Sequence, residues 1–82
     1  MPKVAVEFYG LARLRAGAAG TDATADTVAG VLAAVAHTFP TLSDVAGKHF
    51  LVSVNGERFV TDFNETLPAG TRLLLLSADA GG

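Results

Sequence analysis

One stretch of helical periodicity lies in the middle of this chain, with strand-like patterns on both sides. Its apolar side chains recur at intervals of three and four residues, at Val28, Val31, Leu32, Val35 and Phe39. This spacing predicts an amphipathic helix over residues 27–39. Thr27 or Asp26 can cap its first amides, and Pro40 ends it because proline disfavours helical geometry in the preceding residue. A single helix with one apolar face needs a sheet to cover that face.

Strand patterns precede and follow the helix. Residues 3–9 alternate between two faces, which predicts a strand with one buried face. Residues 10–20 contain three glycines and are expected to form a loop, followed by a weak strand at Thr21–Thr24 that runs back beside the first. Beyond the helix we expect a short helical turn at Leu42–Val45 and a strand at Phe50–Val54.

The second half of the chain carries turn signals. Asn55-Gly56 is a strong hairpin signal because both central residues of such a turn favour positive φ, so Glu57–Thr61 is predicted to be the return strand. Leu67 is expected to be an isolated core anchor, and residues 68–70, Pro-Ala-Gly, form a turn. Thr71–Leu76 is then the last strand.

These elements predict a two-layer α+β domain over residues 1–76, a mixed sheet packed on one main helix. The first and last strands are the most apolar, so we expect them to be central, parallel neighbours. Residues 77–82 are expected to form a flexible tail that ends in Gly81-Gly82. Six extended residues span roughly 20 Å, and glycines enter channels that exclude larger side chains.

Composition narrows the classes of function. The 82 residues include no cysteine, and the net charge of −2 comes with six scattered basic residues, which argues against a nucleic-acid surface. No segment has the pattern of a signal peptide or a membrane span, so we expect a cytoplasmic protein without a membrane partner. His37 and His49 are isolated and predict no metal site. No catalytic residues are predicted because no nucleophile stands with a base, so the chain is expected not to be an enzyme by itself.

A family resemblance rests on several of these residues together. Val54-Asn55-Gly56-Glu57, Asp62, the 67–71 segment Leu-Pro-Ala-Gly-Thr, the apolar last strand and the terminal Gly81-Gly82 resemble the ubiquitin-like β-grasp sulfur carriers. Among these, the small subunits of molybdopterin synthase, also called molybdopterin converting factor subunit 1, are the most similar. The first strand and the start of the helix fit the same pattern. The resemblance covers nearly the whole chain and implies the ubiquitin-like β-grasp fold.

The resemblance also implies a chemistry at the chain end. A ubiquitin-activating-type enzyme would adenylate Gly82 with ATP, sulfur would replace the adenylate, and the thiocarboxylate would be consumed by the large subunit of molybdopterin synthase in a heterotetramer. Gly81 and Ala80 would enter the active sites with Gly82. No cofactor would be bound permanently, since the activating enzyme uses the ATP. Residues 77–80 differ from the molybdopterin carriers, which more often have proline and an apolar residue there, so the acceptor enzyme stays open.

The leucine run Leu73–Leu76 suggests a docking face. Side chains alternate across a strand, so all four leucines cannot face the single helix. We expect Leu74 and Leu76 to contact a partner enzyme, with Phe59 or Phe63 beside them. The alternative is a central strand covered on both faces. Arg13 and Arg15 are expected on a solvated loop, with an acidic partner surface as the alternative.

Three other functions remain open at this stage. One is sulfur transfer in another pathway, such as thiazole or cysteine synthesis, although the thiazole carriers are shorter. Another is a ubiquitin-like modifier that is joined through Gly82 to a lysine of its substrate. The last is an interaction module whose tail has no chemical role.

Overall fold

A computed structural model describes residues 2–43 and 50–77 of the chain. Its elements, in chain order, are strand β1 (Lys3–Phe8), helix α1 (Leu11–Ala16), strand β2 (Gly20–Thr24), helix α2 (Val28–Thr38), a 3-10 turn (Pro40–Leu42), and strands β3 (Phe50–Val54), β4 (Arg58–Phe59) and β5 (Arg72–Ser77). The predicted Ala80, Gly81 and Gly82 of the tail, and His49, lie outside the described residues.

The strands form one five-stranded mixed sheet in the order β2-β1-β5-β3-β4. Strand β1 pairs parallel with β5, while the β1–β2, β3–β5 and β3–β4 pairs are antiparallel. The prediction of a mixed sheet with the first and last strands as parallel neighbours is confirmed. This topology places β5 in the centre of the sheet, with β1 on one side and β3 on the other.

Helix α2 covers one face of the sheet. Its buried residues, Val28, Val31, Leu32 and Val35, are those that gave the helical periodicity. They join Val4, Val6 and Phe8 of β1 in one apolar core. The Thr27 side chain caps the helix by accepting a hydrogen bond from the amide of Gly30 at 3.1 Å. Leu67 is buried in the same core, as the sequence predicts.

The Asn55-Gly56 hairpin forms as predicted. Asn55 and Gly56 have φ of 56° and 73°, the positive values that this turn requires. The Asn55 side chain accepts a hydrogen bond from the amide of Arg72 at 2.9 Å, which ties the turn to β5. The return strand, however, covers only Arg58–Phe59 instead of Glu57–Thr61. After the amide of Val60 donates to Val52 the chain bends away, and the Asp62 carboxylate accepts the amide of Asn64 in a tight turn.

The prediction of a loop over residues 10–20 is wrong, because this segment contains α1. The helix is too short to show a periodicity, and glycines flank it on both sides. Gly17 has φ of 69° and its amide donates to the carbonyl of Arg13, which ends the helix. The core anchors α1 through the fully buried Ala12. A 3-10 turn forms at Pro40–Leu42, and the helical turn expected at Leu42–Val45 stays a prediction because Asp44 and Val45 lie outside the described residues.

Candidate functional site

Strand β5 presents different leucines to the two faces of the sheet. Leu73 and Leu75 are completely buried beneath α2, whereas Leu74 and Leu76 are half-buried on the opposite face. The register shows the same division, since Leu75 is paired with Val52 and Phe8 of the core. Leu74 and Leu76, the two leucines expected to face a partner, therefore lie on the face that α2 does not cover.

The neighbouring strands add apolar side chains to this outer face. Leu51 of β3 is paired with Leu76, and Ser53 is paired with both Leu74 and Phe59. Leu51 is 41% exposed and Phe59 is 55% exposed, so together with the leucines of β5 they make an exposed apolar surface. Tyr9 follows β1 on the same face and is also 41% exposed. We name the set the outer apolar patch: Tyr9, Leu51, Phe59, Leu74 and Leu76.

A neutral polar network lies beside the outer apolar patch. Glu7, which is paired with Leu74 across the sheet, forms an ion pair of 3.1 Å with Arg72. Its other carboxylate oxygen accepts a hydrogen bond of 2.5 Å from the Tyr9 hydroxyl. This hydrogen bond to Glu7 raises the pKa of Tyr9, because the carboxylate stabilises the protonated phenol. The patch thus has a border of paired charges, which suits contact with a protein surface.

Phe63, in contrast, is not brought to the outer apolar patch. Its side chain packs against the core, and its carbonyl accepts a hydrogen bond of 2.8 Å from the amide of Ala29 in α2. It therefore lies on the helix side of the sheet. The structure brings together Leu74, Leu76 and Phe59 of the predicted interface, and it places Phe63 apart from them.

Sequence reasoning missed two members of the patch. Leu51 stands between Phe50 and Val52, two buried residues of β3, so strict alternation within that strand predicts its outward position. Tyr9 alternates with the buried Phe8 in the same manner. Both signals were present in the sequence, but the leucine run of β5 is the more conspicuous pattern.

Strand β5 is the last element before the end of the chain. The last strand residue, Ser77, is paired with Phe50, one residue beyond the predicted end of the strand. Residues 78–82 follow from this point, so the end of the chain is attached to the central strand of the sheet. The outer apolar patch and the base of the tail are parts of the same strand.

Residues 2–43 and 50–77 contain no group of three or more His, Cys, Asp or Glu side chains arranged to hold a metal ion. Among the same residues, no helix combines the length and apolar character that a membrane crossing requires.

Comparison with protein-family models gives no match, and comparison with curated protein sequences gives none either. Solved structures do match. Small archaeal modifier protein 1 (SAMP1) from Haloferax volcanii is 27% identical with a TM-score of 0.81, and the match covers 98% of this chain and 99% of that one. SAMP1 from Methanosarcina acetivorans is 20% identical with a TM-score of 0.81, over 100% and 98% of the two chains.

A third structure belongs to a Pyrococcus furiosus protein that is provisionally assigned as molybdopterin converting factor, subunit 1. It is 17% identical with a TM-score of 0.79, and the match covers 94% of this chain and 98% of that one. The two structures that are 20% and 17% identical to this chain show only that it shares their fold. The chain thus has the ubiquitin-like β-grasp fold, which its resemblance to the ubiquitin-like β-grasp proteins implies.

Proposed function

We propose that this protein is a sulfur carrier that is activated at Gly82, converted to a thiocarboxylate and consumed in molybdopterin biosynthesis as the small subunit of molybdopterin synthase. One observation carries the proposal: a β-grasp body whose central strand both exposes an apolar face and leads into a segment that ends in Gly81-Gly82. The Pyrococcus neighbour, with its molybdopterin converting factor assignment, supports the choice of pathway.

The chemistry proceeds at the carboxyl group of Gly82. A carboxylate is a poor acyl electrophile, so one of its oxygens first attacks the α-phosphorus of ATP, and pyrophosphate leaves. A hydrosulfide equivalent from a sulfur donor then attacks the carbonyl carbon of the acyl adenylate. A C–S bond forms, the C–O bond to AMP breaks, and the product is a thiocarboxylate. The carrier provides no catalytic group in these steps, since the adenylating enzyme binds the ATP.

The body of the protein supplies binding energy for both enzymes. Fixing the five residues 78–82 in an extended conformation costs roughly 5–10 kcal/mol of conformational free energy. Completing the burial of a half-exposed Leu, Phe or Tyr returns about 1 kcal/mol, so the five side chains of the outer apolar patch return about 5 kcal/mol, between half and all of this cost. The patch therefore docks the partner, and further contacts of the tail and the body complete the binding. The partners are a ubiquitin-activating-type enzyme and the large subunit of a heterotetrameric synthase.

A second candidate function is favoured by the archaeal neighbours. SAMP1 from Haloferax volcanii is named a modifier, and it matches this chain over nearly its full length at 27% identity. A modifier uses the same adenylate of Gly82, but a lysine amine of the substrate attacks the carbonyl carbon and forms an amide. Carrier and modifier therefore share the activation step and differ in the nucleophile that follows it.

Intact mass spectrometry of the protein from its own cells separates these functions. A carrier shows a species heavier than the free acid by the difference between sulfur and oxygen, and deletion of Gly82 removes this species. A modifier shows covalent adducts with other proteins that are also lost on deletion. An Ala78→Gly variant, which keeps the tail length and the diglycine, serves as the control and retains both. Unchanged cellular function without Gly82 would contradict both functions and leave an interaction module.

A further inference from the structure

A cleft lies beside helix α1, apart from the outer apolar patch. Its walls are Gly10, Leu11, Arg13 and Leu14 together with residues 17–19, and this open cleft has a volume of about 620 Å³. The helix turns Ala12 into the core and leaves the cleft side uncovered. Neither the fold nor the chemistry at Gly82 accounts for this surface.

The cleft exposes a large apolar side chain. Leu14 is 79% exposed, considerably more than any large side chain of the outer apolar patch. Leu11 stands three residues before it, so the two leucines are neighbours on the helix surface and form one apolar strip. Exposed leucines are not rare singly, but a leucine pair at the wall of a cleft is typical of a binding surface.

The charge of the cleft is positive. Of the described residues that line it, Arg13 alone is charged. Arg15, the other arginine of α1, has its guanidinium 5.5 Å from the centre of the Phe50 ring and is occupied there. No carboxylate among the described residues forms an ion pair with Arg13. An apolar strip beside a cation fits an aliphatic side chain that is accompanied by a carboxylate.

The position of α1 connects the cleft with the end of the chain. The amide of Tyr9, one residue before the cleft begins, donates a hydrogen bond of 2.9 Å to the carbonyl of Leu75. Helix α1 therefore begins beside the end of β5, the strand that precedes residues 78–82 in the chain. Five residues span at most roughly 18 Å, so an enzyme that receives Gly82 must come close to α1.

We propose that the α1 cleft is a second docking surface for the enzyme that activates the chain end, and that it binds an acidic-apolar segment of that enzyme. An aliphatic side chain of the segment packs on Leu11 and Leu14, and a neighbouring carboxylate pairs with Arg13. This inference rests on the proposed function, because only a partner that takes up the tail is obliged to approach this end of the sheet. Tyr9 of the outer apolar patch directly precedes Gly10 of the cleft in the chain, so one partner can reach both surfaces.

The test uses the full chain and the purified ubiquitin-activating-type enzyme from the same genome. ATP–pyrophosphate exchange is measured against carrier concentration. Leu14→Glu and Arg13→Glu should each raise the half-saturating carrier concentration about tenfold and leave the maximal rate unchanged. Leu14→Ala should give a smaller increase, and Arg13→Lys should restore part of the loss. High salt should reduce the effect of Arg13→Glu more than that of Leu14→Ala.

Lys3→Glu is the matched control for charge. It makes the same charge reversal at the other end of β1, on a side chain that is 73% exposed, and should leave exchange unchanged. Thermal unfolding of each variant checks that the fold is retained. If exchange requires Gly82 but is unchanged by Leu14→Glu and Arg13→Glu, the cleft is not a docking surface, and the proposed function is still supported. No exchange with the unaltered chain overturns the proposed function and this inference with it.

Discussion

Glu7 and Arg72 form an ion pair of 3.1 Å across the two central parallel strands of the sheet. Arg72 is also tied to the hairpin, since its amide donates to the Asn55 side chain and its carbonyl accepts the amide of Asn55. One charged residue of β5 thereby connects β1 with the β3–β4 turn. The pair lies on the outer face, where it brings a polar group to a surface that is otherwise apolar around Leu74.

The pKa of the Tyr9 hydroxyl depends on the contacts between Tyr9, Glu7 and Arg72. Its hydrogen bond to Glu7 raises the pKa of Tyr9 above the ordinary value of 10.0. Glu7→Gln removes the carboxylate that stabilises the protonated phenol, so the pKa of Tyr9 should fall towards that ordinary value. Ultraviolet absorbance during alkaline titration measures this directly, because Tyr9 is the only tyrosine and the chain has no tryptophan.

Arg72→Gln is the informative comparison for this titration. Arg72 itself lowers the pKa of Tyr9, so its removal should shift the titration upward, opposite to the effect of Glu7→Gln. If the pKa of Tyr9 shifts in the same direction in both variants, the proposed opposite effects of Glu7 and Arg72 on Tyr9 are contradicted. The phenol lies at the surface, so the measurement does not require unfolding.

The fold could be predicted wherever one residue pattern was long enough to repeat. The alternation in β1 and the helical stripe of α2 each extend over several residues, and the structure confirms both elements. Helix α1 has only six residues, so its glycine-rich surroundings hid it. What stabilises it is tertiary, the burial of Ala12 against the sheet and its contact with β5.

The candidate site, too, could be predicted only where a local residue pattern determines a side chain's position. Leu74 and Leu76 could be assigned to the outer face because alternation in a strand is a local rule. Phe63 could not be placed, because it lies in an irregular segment without a period of its own. Its position depends on the hydrogen bond between its carbonyl and the amide of Ala29, which connects residues distant in the chain. The cleft beside α1 could not be predicted either, because α1 itself depends on contacts with residues distant in the chain.

The outer apolar patch should be necessary for partner binding but not for folding. Leu51→Glu and Leu76→Glu place a charge at two paired positions of the outer face. We expect each to weaken binding to the adenylating enzyme by more than tenfold, since a buried unpaired carboxylate costs well above 1.4 kcal/mol. Isothermal titration calorimetry with the purified enzyme measures the change.

Leu75→Ala is the control on the opposite face of the same strand. Leu75 is completely buried, so its truncation should lower the free energy of unfolding by about 2–5 kcal/mol. Binding by the molecules that remain folded should be unaffected. Equal binding by the unaltered chain and both glutamate variants would remove the patch from the interface.

Gly20 should be intolerant of any side chain. A Cβ at this position would lie 2.5 Å from the carbonyl oxygen of Val6, a backbone atom of the neighbouring strand. Gly20→Ala must therefore push β2 away from β1, and we expect a loss of about 1–3 kcal/mol in the free energy of unfolding. For a domain of this size, each kcal/mol lowers the melting temperature by about 4–8 °C. Thr24→Ala, on an exposed residue of the same strand, should change stability by less than about 0.5 kcal/mol.

Glu65 should make the free energy of unfolding depend on pH in the acidic range. Its carboxylate accepts two hydrogen bonds from the guanidinium of Arg58, and this lowers the pKa of Glu65 below the ordinary 4.5. The unfolded chain therefore binds a proton first as the pH falls, so the contribution of the pair is complete above 4.5 and is lost below the depressed value. Urea denaturation should show that Glu65→Gln is destabilising near neutral pH and nearly neutral in acid. In an Arg58→Gln background the same substitution should lose this pH dependence, and its persistence there would assign the effect to another group.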